Sequence, residues 1–282
     1  FFAGGGFYRG CFHADNYEGY GMLDEGNGRV YKGLWKDDKR CGYGEQTLES
    51  GSKYFGWWKD NVYHGFGRFV FASGSENVGE FKNGKENGIF LIKRDGEWYG
   101  YKWADGEIIP SLVGQTVTEH RRGLTVRIRQ GYGEYRFPGN SRNGSTNIYQ
   151  GQFSQDVPYG TGIRVDTTGE EPVILASDDF RGDSIPDGKC RAVRLTGVDS
   201  YEYALFYEGG YRDGEAFGSG MLYVVGDSEN DHYRYRPYGL PIGSIVRCDH
   251  FDGGPTGAAI VTDEYGEMRY GRFVDGFWEP NK

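Results

Sequence analysis

Between residues 30 and 70, large apolar and polar side chains alternate, and the alternation breaks at fixed places. In Tyr31-Lys-Gly-Leu-Trp35 a period of two puts Tyr31, Gly33 and Trp35 on one face and Lys32, Leu34 and Lys36 on the other. The polar run Asp37-Asp38-Lys39-Arg40 turns the chain, a returning strand opens at Gly42-Tyr-Gly44, and the next turn carries Glu49-Ser50-Gly51. Each such stretch predicts a β-hairpin. Glycine normally weakens a strand, so regular strand glycines predict rings of neighbouring hairpins lying over a floor with no side chain. Stacked hairpins would then bury an aromatic row that no single hairpin could bury alone.

The same phrase recurs. Tyr8-x-Gly10-x-Phe12, Tyr31-x-Gly33-x-Trp35 and Tyr54-x-Gly56-x-Trp58 stand 23 residues apart, and Asn77-x-Gly79-x-Phe81 continues the series with its first aromatic lost. Trp98-Tyr99-Gly100 follows in a slipped register. Downstream come Tyr149-x-Gly151-x-Phe153, Tyr207-x-Gly209-x-Tyr211 and a faint copy around Gly271-x-Phe273. A second glycine phrase trails the clear copies, at Gly19 and Gly21, Gly42 and Gly44, Gly65 and Gly67, Gly160 and Gly162, Gly218 and Gly220. Gly131-Tyr-Gly133 has this second half without a clean first half. Agreement in both spacing and residue type marks a repeat array.

Residues 54–74 place Tyr54, Gly56, Trp58, His64, Gly65, Gly67 and Gly74 in the order Tyr-x-Gly-x-Trp-x-x-Gly-x-x-His-Gly-x-Gly, with Asn61 at the middle glycine. This order resembles the MORN (membrane occupation and recognition nexus) repeat. The unit from Tyr207 keeps the middle glycine as Gly214 but has Phe217 for the histidine. The resemblance covers residues 8–106 well, and 131–169, 207–226 and 266–276 in part. It implies an all-β fold, an elongated, twisted, single-layer array of antiparallel β-hairpins with irregular insertions, an aromatic groove and no compact globular core. Regular hairpins are expected over 1–106 and divergent ones over 107–282, with insertions at 107–130, 166–206 and 227–265, as one continuous array. With strands about 4.8 Å apart, about seven to ten units would run on the order of 70–100 Å.

The breaks carry chemistry of their own. Arg121, Arg122, Arg127 and Arg129 gather near one acid, Glu119, and alternation puts Arg127 and Arg129 on one strand face. Such a patch suits an acidic partner or a phosphoinositide headgroup, although a solvated strand face explains it too. Residues 166–188 are acidic and read as a surface insertion. Cys248, Asp249, His250 and Asp252 bunch at one strand end and alternate faces, so they do not converge and no metal site is expected.

Composition sharpens the picture. Gly is 49 of 282 residues and aromatics reach 17%, against a glycine share of about 7% in ordinary proteins. Many short strands and tight turns fit this, and neither collagen nor a disordered chain does. The net charge of −9 argues against nucleic acid and against broad adhesion to anionic membranes. No apolar run approaches the roughly 20 residues of a membrane helix. Cys11, Cys41, Cys190 and Cys248 form no CxxC pair and are expected to be reduced cysteines of a cytoplasmic protein. The sequon Asn143-Gly144-Ser145 would fit a secreted one.

No Gly-x-Ser-x-Gly elbow, HExxH or P-loop occurs, and the Gly-x-Gly pairs open return strands rather than helices. Neither enzymatic activity nor a cofactor is expected. His64 is expected to make a structural hydrogen bond across its hairpin. The resemblance implies a scaffold in a cytoskeletal, axonemal or membrane-associated assembly, holding a partner segment in an aromatic groove. Its lining would be Trp35, Tyr54, Trp57, Trp58, Tyr63, His64, Phe81, Trp98 and Trp103, with residues 54–67 as the main contact. Partners would be other proteins of the assembly. Homo-oligomers are allowed, membrane lipid more weakly through the arginine patch, and nucleic acid is not. The alternatives are a carbohydrate-binding module, because "DGEWYGYKWADG" (95–106) resembles aromatic cell-wall-binding repeats, and a phospholipid-binding peripheral membrane protein using the patch from Arg121 to Arg129.

Overall fold

The computed structural model describes residues 5–108, 116–121, 124–129, 131–136, 147–155, 157–167, 171–181, 185–196, 203–228 and 236–281. The hairpins form where the pattern places them. The first five strands are β1 (Phe7–His13), β2 (Asn16–Asp24), β3 (Val30–Lys36), β4 (Lys39–Thr47) and β5 (Lys53–Lys59). Then come β6 (Val62–Val70), β7 (Glu76–Lys82), β8 (Lys85–Arg94), β9 (Glu97–Ala104) and β10 (Glu107–Ile108). These make one ten-stranded antiparallel sheet in strict chain order. A separate pair, β11 (Thr116–Arg121) and β12 (Leu124–Arg129), follows.

The second large sheet opens with β13 (Gly131–Arg136), β14 (Asn147–Ser154), β15 (Val157–Asp166), β16 (Val173–Arg181) and β17 (Ile185–Thr196). It continues with β18 (Tyr203–Arg212), β19 (Glu215–Gly226) and β20 (Ile245–Asp252). It closes with β21 (Gly254–Pro255), β22 (Gly257–Thr262), β23 (Met268–Val274) and β24 (Phe277–Pro280). Chain order again sets strand order, except that the short β21 pairs only with β20.

The turns are tighter than the polar runs suggest. Asp37 and Asp38 alone turn the third strand into the fourth, with φ of 48° and 61°, so Lys39 and Arg40 already belong to β4. Two successive left-handed residues make the turn whose twist matches that of the strands it joins. Asp60 and Asn61 repeat it with φ of 48° and 70°. Asparagine tolerates that conformation, so Asn61 replaces the motif's middle glycine at little cost. It also adds something glycine lacks. The Arg40 N–H donates to Asn61 Oδ1 at 2.9 Å while the Asn61 N–H donates to the Arg40 carbonyl at 3.1 Å, tying one hairpin end to the next.

One expectation is corrected. The array is not a single layer without a core. Each sheet has a face bearing the motif rings and a back face, and the two back faces pack together. Phe55, Phe66, Val78, Ile89 and Leu91 of the first sheet form one buried cluster with Ile163, Val165, Ile174, Val193, Leu195 and Phe206 of the second. The reason lies between the motif positions. A single layer would leave those side chains in water at a cost of about 25 cal/mol for each Å² of apolar surface.

Specific contacts fix how the sheets meet. Phe66 stacks on Phe206 with ring centroids 4.6 Å apart. The Tyr43 hydroxyl donates to the Gly226 carbonyl at 2.8 Å. Arg191 pairs with Glu80 across the interface and with Glu208 in its own sheet, each at 3.0 Å. Burial pushes the Glu80 carboxyl up, and Arg191 pulls it partly back.

Candidate functional site

Five of the hairpins are built on a tyrosine lying over two facing glycines. Gly56 pairs with Gly67 across β5 and β6, and a Cβ on either would come within 2.8 Å and 2.5 Å of the Tyr54 hydroxyl. That hydroxyl donates to the Trp57 carbonyl at 3.0 Å, three residues on. Tyr8, Tyr31, Tyr149 and Tyr207 repeat the bond to the carbonyls of Cys11, Leu34, Gln152 and Gly210 at 2.9–3.1 Å. Burial holds the Tyr54 phenol well above its usual range, so it stays a donor.

The motif tryptophan closes the seam between hairpins. Trp58 Nε1 donates to the Gly44 carbonyl and Trp35 Nε1 to the Gly21 carbonyl, both at 3.2 Å. Directly across the hairpin from this ring stands a third position, nine residues after the motif tyrosine: Tyr17 opposite Phe12, Arg40 opposite Trp35, Tyr63 opposite Trp58, Glu86 opposite Phe81. These side chains form a roof. Tyr17 stacks on Tyr8 at 3.8 Å and Tyr63 on Tyr54 at 4.0 Å. The Arg40 guanidinium lies 4.5 Å from the centre of Trp58, and Glu86 accepts from Asn77 Nδ2 at 3.3 Å.

The residues expected to line the groove separate into three groups. Trp35, Tyr54, Trp58 and Phe81 are brought together on the motif face but lie buried beneath the roof, with Tyr54 fully enclosed. Tyr63 and Trp103 are half-buried on the same face, Trp103 with its buried Nε1 unpartnered among the described residues. Trp57, Trp98 and His64 are elsewhere. Trp57 is not an open ring on a free back face, because it is wedged between Tyr43 and Tyr223, with centroids 5.2 Å and 5.3 Å away.

Trp98 belongs to the core between the sheets. The register pairs Phe90 with Tyr101 and Gly88 with Trp103, which puts Tyr99, Tyr101 and Trp103 on the motif face and Trp98 on the other. His64 Nδ1 is buried with no hydrogen-bond partner among the described residues, so it does not make the expected bond across the hairpin. In the arginine patch, Arg122 lies outside the described residues, as do the side chains of Arg121, Arg127 and Arg129.

A match to the MORN repeat model accompanies this geometry, over residues 31–53, 54–76, 78–89, 128–142, 149–171 and 207–228. The chain is a MORN-repeat protein. No curated protein matches it. Among MORN units here, the hairpin at Tyr8 lies outside the matched segments, yet its tyrosine covers Gly10 and Gly21 in the same way. The MORN consensus accounts for the buried layer, the tyrosine, its glycines and the tryptophan. It does not mark the roof, and sequence reading missed Tyr17, Arg40 and Glu86. Their signal was a fixed position of variable residue type, the opposite of a motif.

Proposed function

We propose that the chain is a non-enzymatic scaffold, a repeat-built interaction module of a larger assembly, that holds a protein segment against the motif face of its first sheet. One observation carries this reading. Every member of the aromatic cluster on that face comes from the first sheet itself, so no second layer of described residues covers it. The corresponding face of the second sheet is treated differently, because Leu240 and Ile242 from the β19–β20 connection pack into its cluster. The contact would fall on the roof residues Tyr17, Arg40, Tyr63 and Glu86, on a platform kept rigid by the buried rings. The MORN resemblance supports cytoskeletal, axonemal or membrane-associated protein assemblies as the setting, with the chain on their cytoplasmic side. No described helix is long and apolar enough to cross a membrane.

The test is crosslinking in the source cell with partners identified by mass spectrometry. Lys59 and Lys82 are exposed at hairpin ends of the first sheet. Crosslinks from them that converge on one protein, and vanish in the Tyr17→Ala/Tyr63→Ala variant, support the reading. Crosslinks that spare the first sheet, or a partner retained by that variant, overturn it.

A further inference from the structure

The roof position has one conspicuous gap. Opposite Tyr211, where first-sheet hairpins carry Tyr17, Arg40, Tyr63 or Glu86, β19 carries Ala216. The floor beneath is built as in the other units: Tyr207 covers Gly209 and Gly220 and donates to the Gly210 carbonyl at 2.9 Å. Above it opens a recess of about 430 Å³ including its mouth, lined by Tyr207, Tyr211, Ala216, Phe251, Tyr238 and Arg194 among others.

The walls are defined. Phe251 meets Tyr207 edge-on at 4.9 Å. Tyr238 sits in the 3-10 turn Pro237–Gly239 at φ 56°, a left-handed conformation costly for a tyrosine, with its ring against Gly254. A Cβ on Gly254 would stand 3.0 Å from that ring, so the glycine gives the wall its place. Arg194 brings positive charge to the site and is paired with Glu171 at 3.6 Å.

We propose that this recess receives a phenolic ring, the tyrosine side chain of a bound protein segment. The other hairpins show what occupies the place over a motif tyrosine. Tyr17 and Tyr63 stack there at 3.8 Å and 4.0 Å, supplied by the same strand position that Ala216 leaves empty. Arg40 takes the same place over Tyr31, and Pro158 stands at the corresponding position of the Tyr149 hairpin, opposite Phe153. A second guanidinium beside Arg194 would be repelled, whereas a ring carrying an oxygen acceptor is favoured. That the ring comes from a protein rests on the scaffold reading. The fit of a phenol to the recess does not.

The experiment titrates the full chain with p-cresol, toluene and N-acetyl-Gly-Tyr-Gly-amide by ligand-detected NMR. We expect p-cresol to bind about threefold or more tighter than toluene, and the peptide at least as tightly as p-cresol. Ala216→Tyr supplies the ring in cis and should weaken p-cresol binding about tenfold or more without lowering the melting temperature. Ala216→Ser is too small to fill the recess and should bind like the parent, so the idea stays testable if the tyrosine variant misfolds. Absence of p-cresol binding, or equal binding by Ala216→Tyr, overturns the proposal. Binding of p-cresol without the peptide overturns the side-chain source. Either failure alongside retained first-sheet crosslinks would leave the scaffold reading standing.

Discussion

The ring of Phe90 sits against Gly79, its cross-strand partner, so that a Cβ on Gly79 would collide with the ring. This is the place the motif tyrosine takes in other hairpins. The unit that lost its tyrosine to Asn77 also lost its second glycine to Phe90, and the ring returned from the opposite strand. Tyrosine over two glycines and phenylalanine over one are alternative solutions to the same volume.

That equivalence predicts a coupled substitution. Gly67→Phe alone must collide with Tyr54 and should destabilise by about 1–3 kcal/mol or more, as overpacking does. Adding Tyr54→Asn recreates the Asn77–Phe90 arrangement and should recover much of the loss. Urea unfolding of both single variants and the double gives the coupling energy, expected at about 1–3 kcal/mol. Additive losses would sink the equivalence.

Tyr54→Phe removes only the hydroxyl that donates to the Trp57 carbonyl. A loss of about 0.5–1.5 kcal/mol is expected in denaturant unfolding, the usual range for one such bond. No measurable change would mean that the hydroxyl does not help hold the Trp57 carbonyl in place.

Burial separates structural rings from contact rings. Trp58→Ala should cost about 3–5 kcal/mol and melt the first sheet, because its ring is buried and bonded to the Gly44 carbonyl. Tyr63→Ala removes a half-buried roof ring and should keep the circular dichroism spectrum while weakening partner capture. If Trp58→Ala instead stays folded and merely loses the partner, the deep rings are the contact.

Glu45 gives a pH signature. Burial raises its carboxyl above the ordinary 4.5, and hydrogen bonds from Ser228 offset part of the rise. A raised folded-state value means the protonated form favours folding, so this contribution is present below about 4.5 and is lost as pH climbs through the folded value. Glu45→Gln cannot ionise and still accepts from Ser228. Its stability relative to the parent should therefore improve as pH rises from about 4 to 7. A constant difference across that window would refute the assignment.

Thiol reactivity should follow the layers. Cys11 is exposed on β1, whereas Cys190 and Cys248 are buried on the motif face of the second sheet, and burial pushes the Cys190 thiol up to about 12. Iodoacetamide at pH 8 should label Cys11 quickly and spare Cys190 and Cys248 until denaturant is added, as peptide mapping would show. Prompt labelling of Cys190 in the folded chain would contradict the closed motif face.

The sequence by itself determined the hairpin. A 23-residue recurrence of aromatic and glycine positions is a local code, because the tyrosine, both glycines, the carbonyl it bonds and the turn all lie within one unit or its neighbour. Such short-range geometry repeats wherever the residues do, and it was legible down to the lost tyrosine at Asn77. Tertiary structure decided the rest. The division into two sheets and their back-to-back packing rest on Phe55, Phe66, Val78 and Leu91 meeting Val193, Leu195 and Phe206 from a distant part of the chain. These positions carry no repeat signature, since any apolar side chain of suitable volume satisfies a buried back face. Trp57 shows the consequence. Alternation correctly turned it away from Trp58, but only the partner ring of Tyr223 decided that it became core rather than surface. Ala216 shows the same from the other side: its smallness means nothing along the strand, and becomes a recess only because Tyr238 from the β19–β20 connection and Phe251 from β20 wall it in.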